Sequence, residues 1–263
     1  MDLGLTGKVA IITGGSDGIG KAAAKRIAAE GGSVIIIART ESTLDEAVKD
    51  IGTGVKGTVI PLIGDVSDPN LPQLAIETAV TNFGRVDILV NNAGRSMAKN
   101  FESVSDDDWE SDFDLKVWGA VRLIRSVIPE MRKVNGGRII NVTNLGGRTP
   151  GPSSMPTSIS RATGIAITKA LSKDLASDNI LVNTVCIGLV KSGQHFRRYE
   201  ALDKEEYNLT LDEYYDQLGQ RVPIGRVAET EEAGDVIAFL ASARASYLTG
   251  IAVNIDGGTS AVL

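Results

Sequence analysis

Short apolar runs alternate with longer helical patterns along almost the whole chain, and this alternation constrains the fold more than any other feature. Such runs are typical of strands buried on both faces of a parallel sheet. Alternation of strands and helices requires right-handed crossovers, which place helices on both faces of that sheet. The sequence therefore predicts an α/β fold, a doubly wound (Rossmann) parallel sheet of seven strands, in a single domain over residues 1–263. The predicted strands are residues 8–13, 33–38, 57–63, 86–90, 138–142, 180–185 and 250–255.

Helical patterns fill the intervals between these strands. We predict helices that start at Ile19 and then over residues 41–51, 71–83, 106–133 and 158–176. A polar segment of residues 194–221 interrupts the alternation and holds His195, the only histidine. We interpret this segment as a mobile helical flap over the substrate.

Charge and composition exclude several classes of partner. A net charge of −6 argues against nucleic acid, because phosphate binding needs a concentrated basic face. No apolar run approaches the ~20 residues that span a bilayer, and no secretory signal is recognisable. The single cysteine, Cys186, excludes a disulfide framework within the chain and a cysteine-rich metal site, and its apolar surroundings predict a buried structural thiol. We expect a cytoplasmic protein that binds no metal.

A glycine-rich turn, TGGSDGIG at residues 13–20, lies between the first strand and the first helix. Glycines there allow a tight turn and close approach of the backbone to a pyrophosphate, whose charge faces the N–H groups at the helix start. In this context the turn predicts a dinucleotide site. Its candidate binding residues are Gly14, Ser16, Asp17, Gly18, Ile19 and Gly20.

Further motifs accompany the turn: NNAG at residues 91–94 after the fourth strand, SYLTG at 246–250 and DGG at 256–258. Together they resemble the short-chain dehydrogenase/reductase family, especially its 3-oxoacyl-carrier-protein reductase branch. The resemblance extends from about Leu5 to Gly258 and NNAG at that place is specific.

The resemblance implies an oxidoreductase that acts on a carbonyl/secondary alcohol pair with a nicotinamide cofactor, assembled as a homodimer or homotetramer. It places one group of residues against the adenosine half of the cofactor and another near the nicotinamide, where the family's usual proline is replaced by Ile187. The adenosine group is Asp65, Val66, Asn92, Ala93 and Gly94, and the nicotinamide group is Gly188, Val190 and Ser192.

The choice of nucleotide depends on the end of the second strand, where Arg39 stands in place of an acid. An arginine suits a 2′-phosphate, so NADP(H) is favoured over NAD(H). Asp17 argues the other way, since related NADP enzymes often carry a basic residue there. Arg39 as an ordinary surface arginine is the alternative.

The catalytic positions depart from the family pattern. Its asparagine, serine, tyrosine and lysine correspond here to Lys116, Asn144, Thr157 and Arg161. A threonine hydroxyl is far too weak an acid to replace a phenol tuned by a nearby cation. Arg161 can still grip a ribose, and Asn144 can donate to a carbonyl oxygen. Lys116 either places a cation at the start of the proton relay or reaches solvent from its helix.

Three functions fit these changes. The first is a reductase that takes its proton from water or from a flap residue, with His195 and Tyr199 as candidates if they are not simply surface residues. The second is a nucleotide-binding protein without turnover, either a sensor or a subunit of a mixed oligomer. The third is a non-redox enzyme like the halohydrin dehalogenases, which we rank last because those proteins keep the tyrosine and abandon the glycine-rich turn.

Overall fold

Parallel strands form the centre of the computed structural model, which describes residues 2–202 and 208–263. The strands are β1 Val9–Thr13, β2 Ser33–Ala38, β3 Val59–Ile63, β4 Ile88–Asn91, β5 Gly137–Asn144, β6 Ile180–Ile187 and β7 Ala252–Ile255. Within the described residues they make one sheet of seven strands in the order β3-β2-β1-β4-β5-β6-β7, and every pairing is parallel. The predicted fold class is confirmed.

Helices cover both faces of this sheet, as the doubly wound prediction requires. They are α1 Gly18–Ala29, α2 Glu41–Gly52, α3 Leu71–Phe83, α4 Asp106–Phe113, α5 Gly119–Lys133, α6 Thr157–Asp174, α7 Gly193–Glu200, α8 Leu211–Gly219 and α9 Thr230–Ala241. Neighbouring strand residues point into opposite cores, so Ile12 packs with α1, α2 and α9 while Ile11 packs with α3 and α5. Cys186 is buried in β6, as predicted.

The predicted helix over residues 106–133 contains an irregularity that the sequence did not reveal. A π-helical turn, Asp114–Trp118, separates α4 from α5. Single π-helical turns inside α-helices are rare and often lie at functional sites. Here the turn carries Lys116, one of the four altered catalytic positions, and buries it.

The segment of residues 194–221 holds α7 and α8, which contact each other through the rings of Tyr199 and Tyr214, with 5.6 Å between their centroids. Tyr207 and its neighbours in residues 203–207 lie outside the described residues. The mobility of this flap stays a prediction. In the described part of the chain no helix has both the length and the apolar character needed to cross a membrane.

Candidate active site

The glycine-rich turn joins β1 to α1 at the carboxyl edge of the sheet. Gly14 and Gly18 have φ values of 64° and 55°, a region that side chains disfavour. A Cβ atom on Gly20 would overlap the carbonyl oxygen of Gly14, so only glycine fits there. Asp17 caps α1, since its carboxylate accepts a hydrogen bond of 2.7 Å from the N–H of Gly18. Ser16 and Ile19 lie in the same turn, which fits a pyrophosphate at the start of a helix.

The loop after β4 is fastened to this turn by hydrogen bonds. The amide nitrogen Nδ2 of Asn92 donates to the carbonyl oxygens of Thr13 and Gly14 at 3.0 and 3.1 Å. The backbone N–H groups of Asn92 and Ala93 both donate to the Thr13 hydroxyl, at 2.9 and 3.0 Å. The predicted adenosine-side residues of this loop therefore lie directly beside the turn.

At the ends of β2 and β3, Arg39 and Asp65 face each other, with 3.9 Å between the guanidinium and the carboxylate. Both side chains are largely exposed, so the pair leaves Arg39 accessible to an incoming anion. Val66 is buried and packs against Gly119, where a Cβ atom would lie 3.0 Å from the Val66 carbonyl oxygen.

The predicted nicotinamide-side residues follow β6. The N–H of Gly188 donates to Ile255 at 2.9 Å, and Val190 is buried beside Ala228. Ser192 precedes α7, and a Cβ atom on Gly18 would lie 3.6 Å from the Cβ of Ser192. These residues and the glycine-rich turn therefore face each other across one end of the sheet.

Lys116 and Thr157 are in direct contact, although they are 41 residues apart in the chain. The Lys116 ammonium lies 3.1 Å from the Thr157 hydroxyl oxygen, which also accepts a hydrogen bond of 2.8 Å from the N–H of Met97. The alternative in which Lys116 reaches solvent is wrong, because its side chain is 2% exposed. It is held inside by an ion pair with Asp112, one helical turn earlier.

Asp112 and Ser160 belong to this cluster, although neither is among the candidate residues that the sequence motifs predict. The Asp112 side chain has no exposed surface, and its second oxygen accepts a hydrogen bond of 2.6 Å from the Ser160 hydroxyl. The signals were present as helical spacings: Asp112 precedes Lys116 by four residues, and Ser160 follows Thr157 by three. Neither spacing shows that the side chains of Asp112 and Ser160 are buried.

The protonation of Lys116 is shifted by its surroundings. Burial lowers the pKa of Lys116 to about 8, and the nearby charges of Arg161 and Arg95 lower that pKa as well, while Asp112 acts in the opposite direction. Lys116 can therefore gain and lose a proton near neutral pH, which an ordinary lysine cannot do.

Arg161 and Asn144 complete the set of altered positions. Arg161 Nη1 donates to the Val142 carbonyl oxygen at 2.7 Å, and Nη2 lies 2.8 Å from the place where a Cβ atom on Gly94 would be. Burial lowers the pKa of Arg161, yet a guanidinium stays charged in proteins. Asn144 ends β5, and its Oδ1 is buried without a hydrogen-bond partner among the described residues, as is the Nε of Arg161.

The two flap candidates lie in α7. His195 is 9% exposed, so its interpretation as a surface residue is wrong, and burial together with Arg198 lowers its pKa. Its Nδ1 has no hydrogen-bond partner in the part of the chain described. The hydroxyl of Tyr199 donates to the Leu209 carbonyl at 2.9 Å, so its proton is directed within the flap.

A doubly wound sheet with a glycine-rich first turn and a second loop fastened to it defines a dinucleotide-binding α/β protein. Residues 8–201 match the short chain dehydrogenase family. The chain belongs to that family, which confirms the resemblance. No group of three or more His, Cys, Asp or Glu side chains within residues 2–202 and 208–263 is placed to hold a metal ion.

Several individual relatives are similar to this chain over nearly its full length. The chain is 35% identical over 254 residues to 3-oxoacyl-[acyl-carrier-protein] reductase FabG of Thermotoga maritima, covering 97% of this chain and 98% of that one. It is 33% identical over 259 residues to the Homo sapiens dehydrogenase/reductase SDR family member 4, covering 97% and 88%. L-sorbose reductase from Gluconobacter frateurii, solved with NADPH and L-sorbose, superposes with a TM-score of 0.93 at 32% identity over 100% of both chains.

Proposed function

We propose that this protein is an NADP(H)-dependent oxidoreductase that interconverts a carbonyl and a secondary alcohol with Lys116, Asn144, Thr157 and Arg161 in place of the usual tetrad. The observation that carries the proposal is the convergence of Lys116, from the π-helical turn, with Thr157 and Arg161, both from α6, beside an intact cofactor turn. A structure kept only for binding would not need this cluster of buried charges, each of which costs free energy to desolvate.

The cofactor assignment rests on the carboxyl edge of the sheet. The turn at residues 13–20 would hold the pyrophosphate, and Arg39 would bind the 2′-phosphate through its fork of donors. NADPH-bound L-sorbose reductase and the NADPH-dependent reductase YwfH, which has a TM-score of 0.89 and 29% identity, support the choice of NADP(H). A bound nicotinamide would supply a hydride, and the protein must supply orientation and a proton.

Arg161 and Asn144 would orient the reactants. The Arg161 guanidinium lies against Gly94, where it can grip the nicotinamide ribose and stabilise negative charge on a substrate oxygen. Asn144 can donate an N–H to the same carbonyl oxygen, as the family serine would donate its O–H. Both residues keep a buried polar atom unpaired in the described part of the chain, and such atoms suit a bound ligand.

A second candidate function is nucleotide binding without turnover. The observation in its favour is Thr157 itself, because a threonine is a poor general acid and its hydroxyl is bonded to Lys116 and Met97. In this case Asp112 and Lys116 would only have a packing role, filling the space next to Thr157 that the family's tyrosine would otherwise occupy.

The two candidates are separated by NADPH consumption across a panel of ketones, quinones, 3-oxoacyl thioesters and L-sorbose. The reductase proposal expects oxidation of NADPH with at least one carbonyl compound. Tight binding of NADPH, measured by its fluorescence, with no oxidation on any member of the panel would support the sensor instead. Arg161→Met is the matched control, since any true turnover should fall when the guanidinium is removed.

We also propose that the protein works in the cytoplasm as a homodimer or homotetramer. Exposed Trp118, the last residue of the π-helical turn before α5, supports contacts between copies through the long helices. Sedimentation of the purified protein would show a single species of twice or four times the 27.7 kDa chain mass. A monomer at micromolar concentration would contradict this part of the proposal.

A further inference from the structure

We propose that Thr157 and Lys116 form a two-step proton relay, in which the Thr157 hydroxyl protonates the substrate oxygen and the Lys116 ammonium restores the proton. The relay rests on the proposed reductase function and identifies its proton source. Lys116 thereby takes over the acid chemistry of the missing phenol, and Thr157 takes over its contact with the substrate.

The hydrogen bonds around the Thr157 hydroxyl carry this inference. A hydroxyl has one proton to donate and two lone pairs that accept. The Lys116 ammonium and the Met97 N–H both donate to this oxygen, at 3.1 and 2.8 Å. Among residues 2–202 and 208–263 this hydroxyl donates no hydrogen bond. The hydroxyl therefore has two donors and no acceptor, and because Thr157 is only 3% exposed, its proton is free for a substrate oxygen that reaches this buried side chain.

The chemical balance of the reduction is complete. A bound reduced nicotinamide would supply the hydride for the carbonyl carbon and would itself be oxidised, while the π electrons of the C=O bond would move to oxygen. That oxygen takes the proton of Thr157, whose oxygen takes one from Lys116, leaving a neutral amine. The threonine never carries a full negative charge if the two transfers are concerted, so its weak acidity is no obstacle. Solvent then reprotonates the amine, and alcohol oxidation follows the same route backwards.

The charges that face Lys116 come from three elements. Asp112 lies on α4, Arg161 on α6 and Arg95 in the loop after β4. Burial and the two arginines lower the pKa of Lys116 to about 8, despite the ion pair with Asp112. A general acid is most effective when its pKa lies near the working pH. This environment brings a lysine into that range.

Asp112 and Ser160 are positioning residues in this relay. The Asp112 carboxylate bonds the Lys116 ammonium with one oxygen and the Ser160 hydroxyl with the other. The Ser160 hydroxyl also contacts the carbonyl oxygen of Thr157 at 3.0 Å, which ties the lysine to the helix that carries the threonine. Lys116, Ser160 and Arg161 line one cavity between the sheet and helices α5 and α6.

The first test is the pH dependence of carbonyl reduction by the complete protein. In the wild type kcat should fall about tenfold per pH unit above a pH of about 8, because the neutral amine cannot restore the proton. Thr157→Val should reduce kcat by ~10²-fold or more, whereas Thr157→Ser should keep the inflection and most of the rate. Lys116→Met, or Asp112→Asn/Lys116→Met if the single variant does not fold, should abolish the inflection.

The second test measures the protonation of Lys116 directly, in the absence of turnover. The ¹³Cε resonance of Lys116, assigned by its loss in Lys116→Arg, should titrate at a pH of about 8 in the wild type. In Asp112→Asn it should titrate at a lower pH, because the carboxylate that favours the ammonium is gone. A Lys116 that stays protonated beyond pH ~10, as an ordinary lysine does, overturns the relay.

These outcomes separate the two proposals. If NADPH binds but the wild type reduces nothing on the panel at any pH, the proposed function fails and the relay fails with it. If the wild type turns over and Thr157→Val matches it in rate and inflection, only the relay fails. NADPH affinity, measured on every variant, should stay within about threefold of the wild type, so that a loss of rate is not a loss of cofactor.

Discussion

Gly193 and Asp17 lie so close together that a Cβ atom on Gly193 would overlap the Asp17 carboxylate. The contact joins the first residue of α7 to the glycine-rich turn. A long ion pair of 3.9 Å between Arg197 and Asp17 and a hydrogen bond of 3.2 Å from the Ser96 N–H to Gln194 extend it. The start of the flap therefore packs against the glycine-rich turn.

Gly193→Ala should weaken NADPH binding about tenfold, equivalent to ~1.4 kcal/mol, because the added methyl must displace either α7 or the carboxylate that caps α1. The measurement is a fluorescence titration with NADPH. Gly52→Ala is the matched control, since a Cβ atom there meets nothing within 4 Å. Equal affinity of both variants would mean that α7 moves away at no cost.

Arg39→Ala should change cofactor preference. Hydrogen bonds to a charged group contribute about 1.5–3 kcal/mol, so NADPH should bind about 10- to 100-fold more weakly while NADH is little affected. The ratio of the two dissociation constants is the quantity to measure. Arg125→Ala, at an exposed arginine of α5, is the control. An unchanged ratio would identify Arg39 as an ordinary surface residue.

Asp112→Asn should destabilise the fold by about 3 kcal/mol, since it leaves the buried Lys116 ammonium without its counter-charge. Urea unfolding gives the free energy. Glu110→Gln, an exposed acid on the same helix, should change it by less than ~0.5 kcal/mol. Asp112→Asn/Lys116→Met should recover part of the loss, because both charges are then absent. If Asp112→Asn were as stable as Glu110→Gln, the ion pair between Asp112 and Lys116 would not be buried in solution.

The stability of the wild type should rise with pH relative to Lys116→Met. The pKa of Lys116 is about 8 in the folded protein, below the usual 10.5, so between these pH values the unfolded chain binds more protons. The gain in the free energy of unfolding should reach at most ~3 kcal/mol by pH 10.5, and this gain should be lost again as the pH falls through 8. Unfolding curves at several pH values measure it. Lys173→Met, at an exposed lysine of α6, keeps Lys116 and should gain stability with pH as the wild type does, whereas a wild type that follows Lys116→Met at every pH would refute the shift.

The sequence was sufficient for the sheet and for the cofactor turn because both depend on local patterns. Apolar runs predict buried strands. The spacing of Gly14, Gly18 and Gly20 predicts a tight turn, and in the structure the Asn92 side chain packs closely against this turn. The register of flanking residues also identified Thr157 and Arg161 without knowledge of their contacts. Errors in strand ends were small, as in β5, which extends to Asn144.

The buried cluster could not be predicted because it depends on tertiary packing. Asp112 and Lys116 share the spacing of many exposed helical ion pairs, and only the π-helical turn and the contact with α6 bury them. The sequence left His195 open between a proton donor and a surface residue, and the structure shows that α7 folds this side chain inward. In both cases the missing information is which face of a helix meets another element.

The most direct measurement of the central claim is the fate of the cofactor hydrogen. The protein is incubated with NADPH deuterated at the nicotinamide C4 and with the carbonyl panel, and the products are analysed by mass spectrometry. The proposed function predicts an alcohol that carries one deuterium on the former carbonyl carbon, from the wild type but not from Arg161→Met. Saturating binding of NADPH with no deuterated alcohol from any carbonyl compound would contradict it.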